Sequence, residues 1–129
     1  MKRYTYNMLI YLIYMDENEI DMKPIERMAD SLRRGNIWIW ILKLLNEEDK
    51  YAYQLRKEIN DKFGFDPATV TAYAVLYRLE KSEFVEEASN EFFPNRKYYK
   101  ITKKGIGALK LAKNMLEETI SEIYDDLEI

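Results

Sequence analysis

The chain has 129 residues, 47% hydrophobic and 33% charged, enough for one globular core but not two and unlike the apolar-poor balance of disordered chains. It contains no cysteine and no histidine, so disulfides, thiolate metal sites and thiol nucleophiles are excluded, and zinc centres and imidazole-dependent triads lack their essential groups. The net charge of −3 conceals a segregation: residues 94–113 carry seven bases and no acid, whereas residues 114–129 carry six acids and no base. No spacing singles out a catalytic carboxylate pair, so an enzyme is not expected, nor is a cofactor.

Tyr4 to Met15 is apolar at nearly every position, and periodicity there does not distinguish a buried strand from a buried helix. Its run from Met8 to Met15 is far shorter than the ~20 residues of a membrane span, and Asp16-Glu17-Asn18-Glu19 follows where a secretory signal would place small residues. The expectation is a cytoplasmic protein without a membrane partner. Pro24, followed by Ile25, Met28, Ala29 and Leu32 at helical spacing, predicts a short amphipathic helix ending near Gly35. Asn36 is placed as the N-cap of the next element, Ile37 to Leu45, in which Lys43 is the only polar residue. That run satisfies a strand template as well as a helical one. As a helix it is apolar on all sides, and a small domain covers one side only, leaving the other for a partner chain or ligand.

Asn46 to Lys50 reads as a polar turn. Tyr51 to Phe63 places Ala52, Leu55, Ile59 and Phe63 on one face and is closed by Gly64, a second helix. Asp66 and Pro67 are the expected N-cap and first residue of a third, running to about Lys81. Phe84 to Ala88 and Arg96 to Ile101 form a hairpin across the loop Ser89 to Asn95. Thr102 caps a long final helix, weakened early by Gly105 and Gly107, along which Leu109, Ala112, Leu116, Ile120, Ile123 and Leu127 recur close to a heptad stripe. The order of elements from Asn36 onward is that of a winged helix-turn-helix.

The third helix differs between its faces. Ala72, Leu76 and Leu79, with Val75, make a core stripe, and the opposite side carries Val70, Thr71, Tyr73, Ala74, Tyr77 and Arg78. No residue from Pro67 to Tyr77 is charged, so this face resembles a surface covered in use. Thr, Ala and Val suit thymine methyls, while tyrosine hydroxyls and arginine hold phosphates. The alternative is a helix buried on both sides. In the hairpin, Asn95, Arg96, Lys97, Tyr98 and Lys100 form a basic, aromatic wing suited to the DNA backbone or minor groove. Strand alternation puts Arg96, Tyr98 and Lys100 on one face.

These residues carry a resemblance to a known family. Thr71-Ala72-Tyr73-Ala74-Val75-Leu76-Tyr77-Arg78-Leu79-Glu80-Lys81 resembles the Thr-Leu-Tyr-Pro-Ala-Leu-x-Arg-Leu-Glu segment of PadR regulators, and Arg96-Lys97-Tyr98-Tyr99-Lys100-Ile101-Thr102 with Gly105 resembles their Arg-Lys-Tyr-Tyr-x-Leu-Thr-x-x-Gly. Leu32-Arg33-Arg34-Gly35 and Tyr53-Gln54-Leu55 fall where the family has Leu-Arg-Gly and Gly-Tyr-x-Leu. The resemblance implies that Ile37 to Leu45 is helical, that the final helix builds a homodimer, and that the protein represses genes whose products often handle phenolic or other aromatic compounds. Trp38, Trp40, Met115 and Ile123 are the residues it suggests for an effector cavity. Three positions depart from the pattern: Ala74 replaces the family's proline, and Glu83 and Ala52 replace glycines.

The expected fold is therefore mainly α with a small β-hairpin wing, a winged helix-turn-helix plus a long C-terminal dimerisation helix. Residues 1–34 are expected as an N-terminal extension, 35–101 as the DNA-binding domain and 102–129 as the dimerisation helix. The expected function is a homodimeric, sequence-specific regulator of transcription that binds double-stranded DNA, with a possible small hydrophobic effector. The alternative is a winged-helix module that binds another protein.

Overall fold

The structure, a computed structural model, describes residues 20–128, so the apolar stretch Tyr4 to Met15 lies outside the described residues. Helix α1, Lys23–Arg34, begins with proline in its first turn and ends at Gly35. Asn36 stands at the N-cap position of the helix that follows, as expected, but its side chain does not bond to that helix. Its amide Nδ2 donates backwards to Ser31 O at 3.3 Å and Leu32 O at 3.2 Å, so it satisfies the last carbonyls of α1.

Helix α2, Ile37–Glu47, is the helix that the apolar run left undecided. Ile37, Ile41, Leu42, Leu44 and Leu45 are buried, and Trp38, Trp40 and their neighbours are partly so. The expectation that only one side would be covered is wrong for this helix. It runs through the middle of the core with β3, α3, α4 and α5 around it, so most of its surface is covered within the chain.

The supposed turn before α3 contains a strand, β1, Lys50–Tyr51. Helix α3, Ala52–Phe63, follows it and closes at Gly64, whose φ of 74° is the left-handed conformation glycine adopts without penalty. Helix α4 is Thr69–Lys81, with Ala68 at its N-cap position and no side-chain cap, and starts later than Asp66-Pro67 suggested. The Asp66 carboxylate is taken by Arg56, and the Pro67 ring is fully buried as an anchor of the turn.

Strands β2, Val85–Ala88, and β3, Tyr98–Ile101, are antiparallel, with Val85 opposite Ile101 and Ala88 opposite Tyr98. β1 adds to the other edge of β3, giving a three-stranded sheet in the order β1-β3-β2 in place of a bare hairpin. Helix α5, Lys103–Tyr124, opens on Thr102 as expected: Thr102 Oγ1 accepts from Gly105 N at 3.1 Å and donates to Glu83 O at 2.6 Å. The result is a mainly helical fold with a small antiparallel sheet and a long C-terminal helix.

The junction of sheet and α5 is tight. A Cβ on Gly105 would lie 2.2 Å from the Phe84 carbonyl oxygen, so α5 sits flat on the backbone before β2 only because this residue has no side chain. Beside it Glu83 has φ of 62°, a region where a side chain crowds the backbone.

Lys50 is 1% exposed, the only charged residue in the core of the described chain, and is neutralised there. Its Nζ lies 3.2 Å from Glu58 Oε1, 3.0 Å from Glu58 Oε2 and 3.2 Å from Glu48 Oε1, while Lys62 approaches Glu58 from the other side at 3.1 Å. Burial pushes the Glu58 carboxyl up, but hydrogen bonds from Lys50 and Lys62 outweigh it and hold the group below the usual carboxylate range. Burial pulls Lys50 down, and Glu58 and Glu48 more than restore it. This ties β1 to α3 and the end of α2.

Two predictions follow from these contacts. Gly105→Ala is expected to lose about 1–3 kcal/mol through overpacking, whereas Glu83→Gly gains about 0.5–1 kcal/mol by relieving the left-handed backbone; urea unfolding of the two variants checks the opposite signs. Because its folded pKa is depressed, Glu58 contributes stability that is full above an unfolded value of about 4.3 and lost as pH falls through the lower folded value. Acid titration monitored by circular dichroism should show Glu58→Gln flattening that loss, with a cost at pH 7 of about 1–3 kcal/mol because Lys50 stays charged with one acceptor neutralised.

Candidate nucleic-acid interface

Helices α3 and α4 form the helix-turn-helix, and the turn between them is set by one side chain. Arg56 Nε lies 2.9 Å from Asp66 Oδ1 and 3.1 Å from Pro67 O, Arg56 Nη2 lies 3.0 Å from Asp66 Oδ2, and Nη1 donates to Thr69 Oγ1. The planar fork thus binds three consecutive parts of the turn and fixes the start of α4 relative to α3. The ion pair holds the Asp66 carboxyl below its usual range and raises Arg56. Arg56 was not singled out from sequence, because no local pattern links residues so far apart in the chain.

Ala72, Leu76 and Leu79 turn inward from α4, as their spacing indicates. Thr71, Tyr73, Ala74, Tyr77 and Arg78 are all exposed, Tyr73 at 55% and Tyr77 at 60%, which excludes a helix buried on both sides. Val70 belongs to the same helix. At its far end Lys81 Nζ sits 5.3 Å over the Tyr77 ring. The acid next in sequence, Glu80, is turned to the wing, so the outward face up to Arg78 is free of carboxylates.

The wing differs from its sequence pattern in two respects. Tyr98 and Tyr99 are both buried, at 6% and 5%, because β3 is the central strand and is covered on both faces: Tyr99 enters the core, and the Tyr98 ring lies 5.4 Å from that of Tyr51. Tyr98 therefore does not present its ring on the surface with Arg96 and Lys100. Secondly, the acid-free run of sequence is not acid-free in space. Lys97 pairs with Glu80 at 2.9 Å, Lys100 with Glu86 at 3.2 Å, and Lys104 with Glu83. Asn95 and Arg96 are exposed in the loop before β3, and the Arg96 guanidinium lies over the rings of Phe93, at 4.1 Å, and Tyr51, at 4.6 Å.

Along α5 the heptad stripe divides. Gly105 and Ala108 are buried and Leu109 and Ala112 partly so, against the chain's own core, whereas Leu116, Ile120 and Ile123 remain 46–58% exposed, and Leu127, expected on the same stripe, lies beyond the end of the helix at Tyr124. The residues suggested for an effector cavity have separate surroundings in this chain. Trp38 packs 6.5 Å from Phe84, Trp40 packs on Phe63 and Phe65 at 6.5 and 5.4 Å, and Met115 is 69% exposed. An open cleft of about 520 Å³ lies elsewhere, against β2 and the start of α5, lined by Glu80, Glu83, Glu86 and Glu87 with Lys103 and Lys104. Among the described residues no helix is long and apolar enough to cross a membrane.

Comparison with known proteins matches this architecture. A transcriptional regulator from Clostridium thermocellum superposes with a TM-score of 0.66 at 31% identity, covering 76% of this chain and 96% of that one. A PadR family transcriptional regulator from Eggerthella lenta gives 0.64 at 25% identity over 88% of this chain and 94% of the other. A PadR-like regulator from Bacillus cereus gives 0.58 at 28% identity over 77% and 99%. An uncharacterised protein of Lysinibacillus sphaericus is 37% identical over 97 residues, 71% of this chain and 87% of its own length. The family model for PadR-like transcriptional regulators matches residues 41–111, the stretch from the middle of α2 through the helix-turn-helix and wing into α5. The chain belongs to the PadR-like family of winged helix-turn-helix, DNA-binding transcriptional regulators.

Proposed function

We propose that this regulator is a cytoplasmic homodimeric repressor that enters successive major grooves with its two α4 helices and lays its wings along the flanking DNA. The observation that carries this reading is the outward face of α4. Thr71, Tyr73, Ala74, Tyr77 and Arg78 are exposed on a helix whose angle is fixed by Arg56, and no carboxylate interrupts them. Small and methyl-bearing side chains allow close approach to base edges, and Tyr77, Arg78 and Lys81 at the end of the helix suit phosphates. Asn95, Arg96, Lys97 and Lys100 flank this face on the wing.

Dimerisation is supported by the distal half of α5, where Leu116, Ile120 and Ile123 form an uncovered apolar stripe, with Leu127 just past the helix end, while its acids face elsewhere. In this reading residues 1–34 are an extension, 35–101 the DNA-binding unit and 102–129 the dimerisation helix. Response to a hydrophobic effector requires a cavity completed by the second protomer, because Trp38 and Trp40 are packed within the first and Met115 faces solvent.

A salt-titrated gel shift with duplex DNA from upstream of its own coding sequence tests the reading. Saturable binding is expected, with log affinity falling against log salt by about 0.9 for each phosphate neutralised, and Arg78→Glu should abolish it. A slope near zero, or binding indifferent to Arg78→Glu, rejects the DNA reading in favour of a protein-binding surface. Sedimentation velocity should show a dimer that Ile120→Asp converts to monomer with weaker DNA binding.

A further inference from the structure

The wing loop is fastened to the helix-turn-helix by stacked side chains that lie far apart in sequence. The Arg96 guanidinium lies 4.1 Å from the centroid of Phe93 and 4.6 Å from that of Tyr51. Tyr51 in turn stacks on Tyr53, with ring centroids 6.4 Å apart and planes 17° from parallel. Tyr53 is in the first turn of α3, so this ladder runs from the wing loop to the start of the helix-turn-helix.

The loop end of the ladder is also built. Asn90 Oδ1 accepts from the backbone N–H groups of Phe92 at 2.9 Å and Phe93 at 3.2 Å, and Arg96 N donates to Phe93 O at 3.1 Å. These bonds shape the tip locally, and the stacked guanidinium connects that tip to β1 and α3. Residues 91–97 are otherwise exposed throughout, with Phe92 at 79%. A loop of this kind has little burial to hold one orientation.

Resting on the DNA-binding reading above, we propose that Arg96 is a positioning residue: stacked between Phe93 and Tyr51, it fixes the wing tip relative to the helix-turn-helix, and DNA binding depends on it for that reason. The neighbouring cations differ from it in their main partners: Lys97 also lies 5.2 Å over the Tyr99 ring, but it and Lys100 are each held by a carboxylate. Lys97 and Lys100 hold exposed carboxylates, partners that phosphates replace. Arg96 holds two rings with a flat, weakly hydrated cation, a contact that an ammonium group on a flexible stem does not reproduce.

This separates stacking from charge. Arg96→Lys keeps the charge and loses the planar contact, and Phe93→Ala removes one ring without touching the core or any charge. With the upstream duplex as probe, both variants are expected to bind about tenfold more weakly than wild type at an unchanged salt slope, close to the loss in Arg96→Ala. In the free protein, hydrogen exchange of the amides from residues 90 to 96 should accelerate in both, while amides of α2 stay protected. Wild-type affinity in Arg96→Lys beside a loss in Arg96→Ala would overturn the proposal and make Arg96 a phosphate contact. Unchanged exchange in both variants would overturn it as well. If wild type binds no duplex, the DNA reading fails, and the exchange experiment still decides whether Arg96 holds the wing.

Discussion

Between Ile37 and Leu45 helix α2 offers water one polar side chain, Lys43, and the rest of the fold is arranged to cover what remains. Aliphatic side chains recur too densely along it for a single apolar stripe, so packing against one neighbour would leave others wet. The chain meets this by surrounding α2 with α3, α4, β3 and α5. Each of the three helices among them turns one face inward and leaves the other for solvent or a partner. The outward face of α4 is thus a consequence of the inward position of α2: Ala72, Leu76 and Leu79 are committed to the core, and Thr71, Tyr73, Ala74, Tyr77 and Arg78 have no other place to go.

Charge is distributed by folding in a way its linear order conceals. The cations of the wing and of the start of α5 meet Glu80 from α4, Glu83 from the turn and Glu86 from β2. Pairs this exposed stabilise the fold little, so exchanging a carboxylate for a phosphate is not opposed by lost stability. Each such exchange nevertheless leaves a carboxylate near the DNA, which offsets part of the electrostatic gain. The local feature that distinguishes α4 is different. From Thr71 to Arg78 its outward face carries no carboxylate, Glu80 being turned to the wing.

Much of this was legible in the sequence because the signals were local or periodic. Gly64 and Thr102 mark helix boundaries through their own backbone or side-chain chemistry, and the inward stripes of α3 and α4 follow helical spacing. What escaped depends on residues distant in the chain. β1 has two residues, too few for any period, and exists because the edge of β3 is available to it. Tyr98 was misplaced for the same reason: alternation identifies sides of a strand but not whether both sides are covered. Asp66 has the chemistry of an N-cap, yet Arg56 claims its carboxylate, and Asn36 stands at the N-cap position of α2 while the carbonyls of α1 claim its amide. In each instance a tertiary partner outcompeted a local preference.

The final helix shows how one periodic stripe serves two environments. Its apolar repeat runs from Leu109 to Ile123, but the core against which it packs ends after about the third turn. Beyond that point the same apolar spacing continues without a covering surface, which distinguishes a helix made for its own domain from one made to extend past it. The direction in which it extends is set at its base. Gly105 permits backbone contact with Phe84, Thr102 bonds to Glu83, and neither contact tolerates much displacement. The exposed stripe therefore leaves the domain at an angle fixed by the same short segment that leads into β2, so the geometry of the distal helix and that of the wing share one rigid joint.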